Sequence, residues 1–331
     1  MPPILLRPDD FRQFAQMKLG ALDVLLVFIR DSLRLAFDLR AWRAGFIALR
    51  IPSLVIAAFS CALGVLLACR DGRGDLLNAI AVMIAGLALQ AGVNLVNDFF
   101  EFRQKRVQDK VAHLGFTKPE RELLEWLIFF VGLAFFGFAG LVGLFLAWRS
   151  GWGLLILGFV GFAGGFFYTG EPLNYKRRGL AVVIVFFLMG VFMVAGAYSA
   201  VAGAFSWEVV LVSIPVSLLV SLILLANELR DYESDLRYEV RTLAVRIGYR
   251  RAIRLYCVLL ACAYASPLLL TRGGFYPPPW LIYLALPFAV PPFVFMSRAP
   301  EKRKPIIPLV MLHHLAFGML FCITLSAPLS G

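Results

Sequence analysis

Long apolar runs separated by short charged stretches leave this chain very few ways to fold. The runs fall at about residues 45–69, 76–97, 123–147, 152–168, 180–202, 208–228, 252–271, 279–297 and 305–327. About 20 helical residues cross the hydrocarbon of a bilayer, so the pattern fits nine transmembrane helices. Hydrophobic residues make up 60% of the 331, more than a soluble domain of this size could bury. The expected fold is an all-α polytopic membrane protein, with about nine helices around a central cavity and short cytoplasmic cap helices. No polar linker divides the chain, which predicts one membrane domain over residues 45–328 after an N-terminal segment, residues 1–44. In that segment Ala21–Phe37 is interrupted by Asp23, Arg30, Asp31 and Arg34, the pattern of an amphipathic helix lying in the interface. The opening MPPILLRPDDFRQF carries charge of both signs before any apolar run, so no signal peptide is expected.

Charge placement orients the spans. With the N-terminus in the cytoplasm, 28 of the 32 Lys and Arg fall in the inner segments 1–50, 98–122, 169–179, 229–254 and 298–304. Only Arg70, Arg73, Arg149 and Arg272 fall outside. The positive-inside rule therefore favours a multi-pass protein of the inner or plasma membrane with a cytoplasmic N-terminus. The net charge of +11 then reflects topology and contact with membrane lipids, and calls for no nucleic acid. Cys61, Cys69, Cys257, Cys262 and Cys322 lie in apolar runs without metal spacing and read as packed thiols. His113, His313 and His314 are too scattered for a metal cage.

Two polar stretches stand out, each at the exit of an apolar run. The second, NELRDYESDLRYEVRTLAVRIG, begins at Asn227 and puts Asn227, Asp231 and Asp235 at i, i+4 and i+8, one face of a helix. Carboxylates one turn apart repel unless a cation sits between them, and hard oxygen ligands suit Mg2+. The first, NLVNDFFEFRQKRVQD, spans Asn94 to Asp109, with Asn97 and Glu101 at i, i+4 and Asp98 adjacent. Alone, either stretch reads as a solvated, salt-bridged helix end. Together, on one predicted face of the membrane, they form a split diphosphate site with acids for Mg2+ and bases for phosphate oxygens.

These residues resemble the two Asp-rich motifs of the UbiA superfamily of intramembrane prenyltransferases. The first reads Asn97-Asp98-Phe99-Phe100-Glu101 and the second Asp231 and Asp235. TLAVRIG (Thr242–Gly248), YTGEPLNY (Tyr168–Tyr175) and LRIPSL (Leu49–Leu54) are similar to segments of the 1,4-dihydroxy-2-naphthoate branch, as is the turn and helix start at Gly115–Glu120, where Thr117 is the expected N-cap. The resemblance implies Mg2+-dependent transfer of a polyprenyl group from polyprenyl diphosphate to an aromatic acceptor, with 1,4-dihydroxy-2-naphthoate in menaquinone biosynthesis favoured. Acceptors of the 4-hydroxybenzoate, homogentisate or chlorin type remain alternatives, as does a non-catalytic carrier or lipid-binding relative.

Such chemistry needs a neutralised leaving group, a cation shielded from water, and a held acceptor. Glu101, Asp98, Asp231, Asp235 and Asp109 are the metal candidates. Asn94, Asn97, Asp98, Asn227, Lys176, Arg177, Arg230 and Arg237 are the substrate-binding candidates. Tyr168 and Tyr175, on the loop where the family places polar residues near the acceptor, join Glu101, Asp231 and Asp235 as catalytic candidates; their alternative is a pair of interfacial tyrosines. The chain departs from the family at Glu101, where Asp is usual, at Lys105 and Val107, where a further acid is usual, and at Leu180, where an acid usually follows the tyrosine loop. The Gly158, Gly161, Gly164 and Gly165 stripe reads as helix packing.

Overall fold

The structure is a computed structural model describing residues 30, 34, 35, 37–103 and 112–326. Most of the expected interfacial helix at 21–37 lies outside the described residues, as do Lys105, Val107 and Asp109. Among the described residues there is no strand.

Helix α1 (Leu39–Leu49) begins under Asp38, whose side chain accepts from the Arg40 amide at 2.7 Å. It ends at Arg50, which is left-handed at φ 50 and ψ 65, and α2 (Ile51–Arg70) starts at once. This corrects the expected first span. A single run from residue 45 is broken because Arg50 leaves the right-handed region and Pro52 opens the next helix, where its missing N–H costs nothing. The expected domain boundary at residue 44 falls inside α1.

The remaining helices are α3 (Leu76–Arg103), α4 (Lys118–Ser150), α5 (Leu154–Phe166), α6 (Ala181–Ala202), α7 (Trp207–Arg230), α8 (Tyr232–Arg237), α9 (Leu243–Ile247), α10 (Tyr249–Arg272), α11 (Trp280–Met296) and α12 (Ile306–Leu325). Among the described residues seven are long and apolar enough to cross a membrane: α2, α3, α4, α6, α7, α10 and α12. The expected runs at 152–168 and 279–297 are the shorter apolar segments α5 and α11. The anticipated caps appear as α8 and α9, two short helices between α7 and α10. The start of α4 is also as expected: Thr117 and Glu120 form a reciprocal capping box.

Helix α7 is the hub, with 72% of its apolar window buried, against 17% for α4 on the periphery. Helix α6 reaches α7 through a π-helical turn, Phe186–Phe192. A Cβ on Gly190 in that turn would sit 2.2 Å from Ser217 Oγ, so only glycine permits the approach. The glycine stripe of α5 divides. Side chains at Gly164 and Gly165 would strike Leu188 and Val93 at 2.4 and 2.3 Å, which is packing, whereas Gly158 faces open space. At one end of the bundle Arg149 bridges Asp75 at 2.9 Å and Asn78 at 2.6 Å, and Asn78 donates to the Ala200 carbonyl at 2.9 Å. Exposed Trp148, Trp152 and Trp207 ring that end, as an aromatic belt requires. Both acidic motifs lie at the opposite end.

Candidate functional site

A cavity of about 440 Å³ opens among α2, α3, α6, α7 and the loop after α5. Its polar floor is built mainly by α3. Gln90, Asn94, Asn97 and Glu101 follow helical spacing and all line the cavity. Gln90 donates to Asn94 Oδ1 at 2.9 Å, and Asn94 donates to the Leu49 carbonyl at 2.6 Å and to Ser53 Oγ at 2.7 Å. Asn94 thus ties α3 to the break between α1 and α2, satisfying a carbonyl at a helix end. Thr169 donates to Asn97 Oδ1 at 2.7 Å, fixing the tyrosine loop to the same face.

Glu101 is 3% exposed and meets two cations. Arg50 donates to it at 2.7 Å and to Asp98 at 3.2 Å. Lys176 contacts its other oxygen. Burial opposes the Arg50 charge, but Glu101 and Asp98 outweigh it and hold the guanidinium pKa above its ordinary value. Lys176 also lies 5.4 Å from the centre of the Tyr168 ring.

Tyr168 and Tyr175 both line the cavity, edge to face with centroids 5.4 Å apart. Burial pushes both hydroxyls above the usual tyrosine range, and at Tyr168 the Glu101 charge adds to it. The Tyr175 hydroxyl donates to the Gly164 carbonyl at 2.6 Å, a structural engagement.

The second motif sits at the end of α7. Asn227, Asp231 and Asp235 were expected on one continuous helix, and here the expectation is corrected. Helix α7 ends at Arg230, Asp231 takes a non-helical φ of −92 and ψ of 6, and α8 begins at Tyr232. The Asp235 amide still bonds to the Asp231 carbonyl at 2.8 Å across the break, so the three side chains keep a common side and line the same cavity. Arg230 holds Asp231 through two bonds of 2.8 Å. Asp235, 1% exposed, accepts from Thr242 Oγ1 at 3.3 Å. Helix α8 is anchored from outside by Arg303, which is 7% exposed, grips Glu233 at 2.8 and 2.9 Å and lies 4.3 Å over the Tyr249 ring.

The cavity therefore gathers Asn94, Asn97, Glu101, Tyr168, Tyr175, Lys176, Asn227, Arg230, Asp231 and Asp235. It does not gather Asp98, Arg177 or Arg237. Asp98 is buried behind the lining against Arg50. Arg177 turns to the Glu239 carbonyl, and Arg237 is exposed on α8. Five further polar lining residues were not singled out as site residues: Arg50, Ser53, Gln90, Glu228 and Thr242. All but Gln90 stood inside quoted segments, Arg50 and Ser53 in LRIPSL and Glu228 and Thr242 in the stretch from Asn227 to Gly248, so that signal was within reach.

Among the described residues no three acids, histidines or cysteines are grouped closely enough to hold an ion unaided. The donors are nonetheless hard oxygens, supplied from two helix ends around one cavity with cations interleaved. Mg2+ keeps several waters and is commonly held by one or two carboxylates plus phosphate oxygens, so this donor set fits Mg2+ with a diphosphate.

A family model described as the UbiA prenyltransferase family matches residues 57–316. The chain is 29% identical over 246 residues to the 1,4-dihydroxy-2-naphthoate octaprenyltransferase of Bacillus subtilis, covering 74% of this chain and 75% of that one. Its fold is similar to the apo structure of a UbiA homolog from Aeropyrum pernix K1, with a TM-score of 0.59 and 18% identity over 83% of this chain and 98% of that one. It is also similar to a UbiA homolog from Archaeoglobus fulgidus bound to DMAPP and Mg2+, with a TM-score of 0.50 and 14% identity over 82% and 84% of the two chains.

Proposed function

The chain belongs to the UbiA prenyltransferase family, and from that premise we propose that it transfers a polyprenyl group from polyprenyl diphosphate to 1,4-dihydroxy-2-naphthoate, in a Mg2+-dependent step of menaquinone biosynthesis. One observation carries the reading: both acidic motifs and the tyrosine loop line a single cavity with a charged end and an apolar wall. Leu89, Val93, Leu188, Met189 and Met193 on that wall suit an isoprenoid and exclude water.

Asp231, Asp235, Glu101 and Asn227 would hold Mg2+ and the diphosphate, and Mg2+ would supply charge neutralisation of the leaving group. Asp98 would act through Arg50. Lys176, Arg50 and Arg230 offer N–H donors to the phosphate oxygens. As the allylic carbon–oxygen bond breaks, the diphosphate departs with the bonding pair, the ring carbon of the acceptor forms the new carbon–carbon bond, and the substituent on that carbon leaves as a proton or as carbon dioxide, returning its bonding pair to the ring. Tyr168 presents its ring face beside the carbon undergoing transfer, where a π surface favours positive charge. The naphthoate acceptor is supported by the TLAVRIG and YTGEPLNY segments and by the likeness to the Bacillus subtilis enzyme. Mg2+ is supported by the donor chemistry and by the Archaeoglobus fulgidus homolog that binds it. We place the N-terminus and the charged end on the cytoplasmic side of the plasma membrane, in contact with anionic lipids, on the distribution of Lys and Arg.

The test is direct. Purified protein is incubated with Mg2+, a polyprenyl diphosphate and a panel of arenes: the naphthoate, 4-hydroxybenzoate, homogentisate and a chlorin. The expected result is a prenylated naphthoate that disappears with EDTA. A product from another arene alone would reassign the acceptor, and no product from any arene would overturn the enzymatic reading.

A further inference from the structure

Glu228 belongs to neither acidic pattern. It is one residue after Asn227, about 100° around the helix, and yet it lines the same cavity at 4% exposure. Its two oxygens have different fates. Oε2 accepts the Ala244 amide N–H at 2.9 Å, from the first turn of α9. Oε1 is buried and has no hydrogen-bond partner among the described residues. Leaving a buried carboxylate oxygen unsatisfied is costly, so such an atom in a binding cavity points to a missing donor.

The surroundings narrow what the donor is. Two other cavity acids already meet cations, Glu101 with Arg50 and Lys176 and Asp231 with Arg230, while Asp235 accepts from the Thr242 hydroxyl. Among the described residues no Lys or Arg lies within ion-pair distance of Glu228, whose Oε2 is held by the backbone of α9. A diphosphate brings only acceptor oxygens and would be repelled. A hydroxyl on an aromatic ring is a neutral donor of the right size, and Tyr168 lines the same cavity as Glu228.

Resting on the prenyl-transfer reading above, we propose that Glu228 is a specificity-determining residue for the acceptor, with its Oε1 accepting a hydrogen bond from a ring hydroxyl of a dihydroxyarene. The bond orients the ring toward the allylic carbon and raises electron density at the carbon beside the hydroxyl. The Ala244 amide holds the carboxylate in place before the acceptor arrives, which is the preorganisation such a contact needs.

The experiment is steady-state kinetics on the full-length protein in detergent or nanodiscs, wild type beside Glu228→Gln and Glu228→Asp. Gln keeps the volume and can keep an oxygen on the Ala244 N–H, but it turns an N–H₂ toward the hydroxyl. For Glu228→Gln the KM for 1,4-dihydroxy-2-naphthoate should rise roughly tenfold or more. The KM for polyprenyl diphosphate and the Mg2+ half-saturation should stay at wild-type values, and Glu228→Asp should recover part of the loss. In parallel, wild type is offered the naphthoate and its two mono-O-methyl ethers. At least one ether should be rejected by wild type and discriminated against less strongly by Glu228→Gln. A shift in Mg2+ or diphosphate dependence without an acceptor effect would overturn the inference and assign Glu228 to the metal site. Equal use by wild type of the naphthoate and both ethers would overturn it even if neither variant folds. Wild-type inactivity toward every arene would bring down the prenyl-transfer reading and this inference with it. Wild-type activity with an unchanged acceptor KM in Glu228→Gln would overturn the inference alone.

Discussion

The two acidic motifs share one cavity but are held in opposite ways. The first rests on one unbroken helix, and its carboxylates are neutralised from far away in the chain, by Arg50 and Lys176, 51 and 75 residues from Glu101. The Glu101 side chain is 4% exposed, so its charge depends on the whole bundle being assembled. The second crosses a break between two helices, and its partners are neighbours: Arg230 for Asp231, and Thr242, seven residues on, for Asp235. Arg230 and Asp231 are about a third exposed. The first motif is therefore tied into an ion cluster that spans the bundle, whereas the ion pair of Asp231 is local and partly exposed.

The sharpest test of that contrast removes one acid from each side. Glu101→Ala should abolish turnover and also destabilise the protein by about 3–5 kcal/mol, because the largely buried Lys176 loses this anion and Arg50 is left with Asp98. Thermal unfolding in the same detergent as wild type checks it, and an unchanged Tm would erase the distinction between the motifs. Asp231→Ala and Asp235→Ala should abolish Mg2+-dependent turnover equally well. Asp231→Ala, however, should shift stability by only ~0–1 kcal/mol, since its pair with Arg230 is solvent-screened. Near-normal activity in both would remove the diphosphate site from this helix end.

Glu101 can then be dissected. We expect it to serve as a ligand once Mg2+ and diphosphate draw Arg50 and Lys176 toward the phosphate oxygens. Glu101→Gln should lose most activity and need more Mg2+, while Glu101→Asp should retain part. A Glu101→Gln enzyme with wild-type Mg2+ dependence would reduce the residue to its salt bridges. Its salt bridges among the described residues include those to Arg50 and Lys176. A smaller effect is expected at Arg303. Arg303→Met frees α8 by cutting its grip on Glu233, so the Mg2+ half-saturation should rise several-fold, with Glu233→Gln doing the same and the double variant no worse. Additive losses would mean that Arg303 does not act through Glu233. Smallest is Thr117→Ala, which should cost ~1 kcal/mol at the capping box of α4 and leave kinetics unchanged, since that helix start lies outside the cavity lining.

What could be read from the chain alone was what is local in it. The length of an apolar run dictates a membrane helix because lipid offers no other partner to the backbone, and seven of the nine expected runs contain a helix long and apolar enough to span, the first of them split at Arg50. Asn97 and Glu101 share a face because α-helical spacing puts them there, and the Thr117–Glu120 capping box is written within four residues. The break at Arg50 has one local signal, Pro52 two residues on, and the packed structure adds Asn94, which reaches across from α3 to the Leu49 carbonyl. Only the packed bundle decides that Arg50 and Lys176 converge on Glu101, that Asp98 is turned out of the cavity, and that Arg177 and Arg237 point elsewhere. It also decides that Glu228 keeps one oxygen without a partner. Helix formation is settled by each residue's neighbours in sequence, whereas the pairing of charges across dozens of residues is settled by which helix faces touch, and no spacing rule along the chain encodes that.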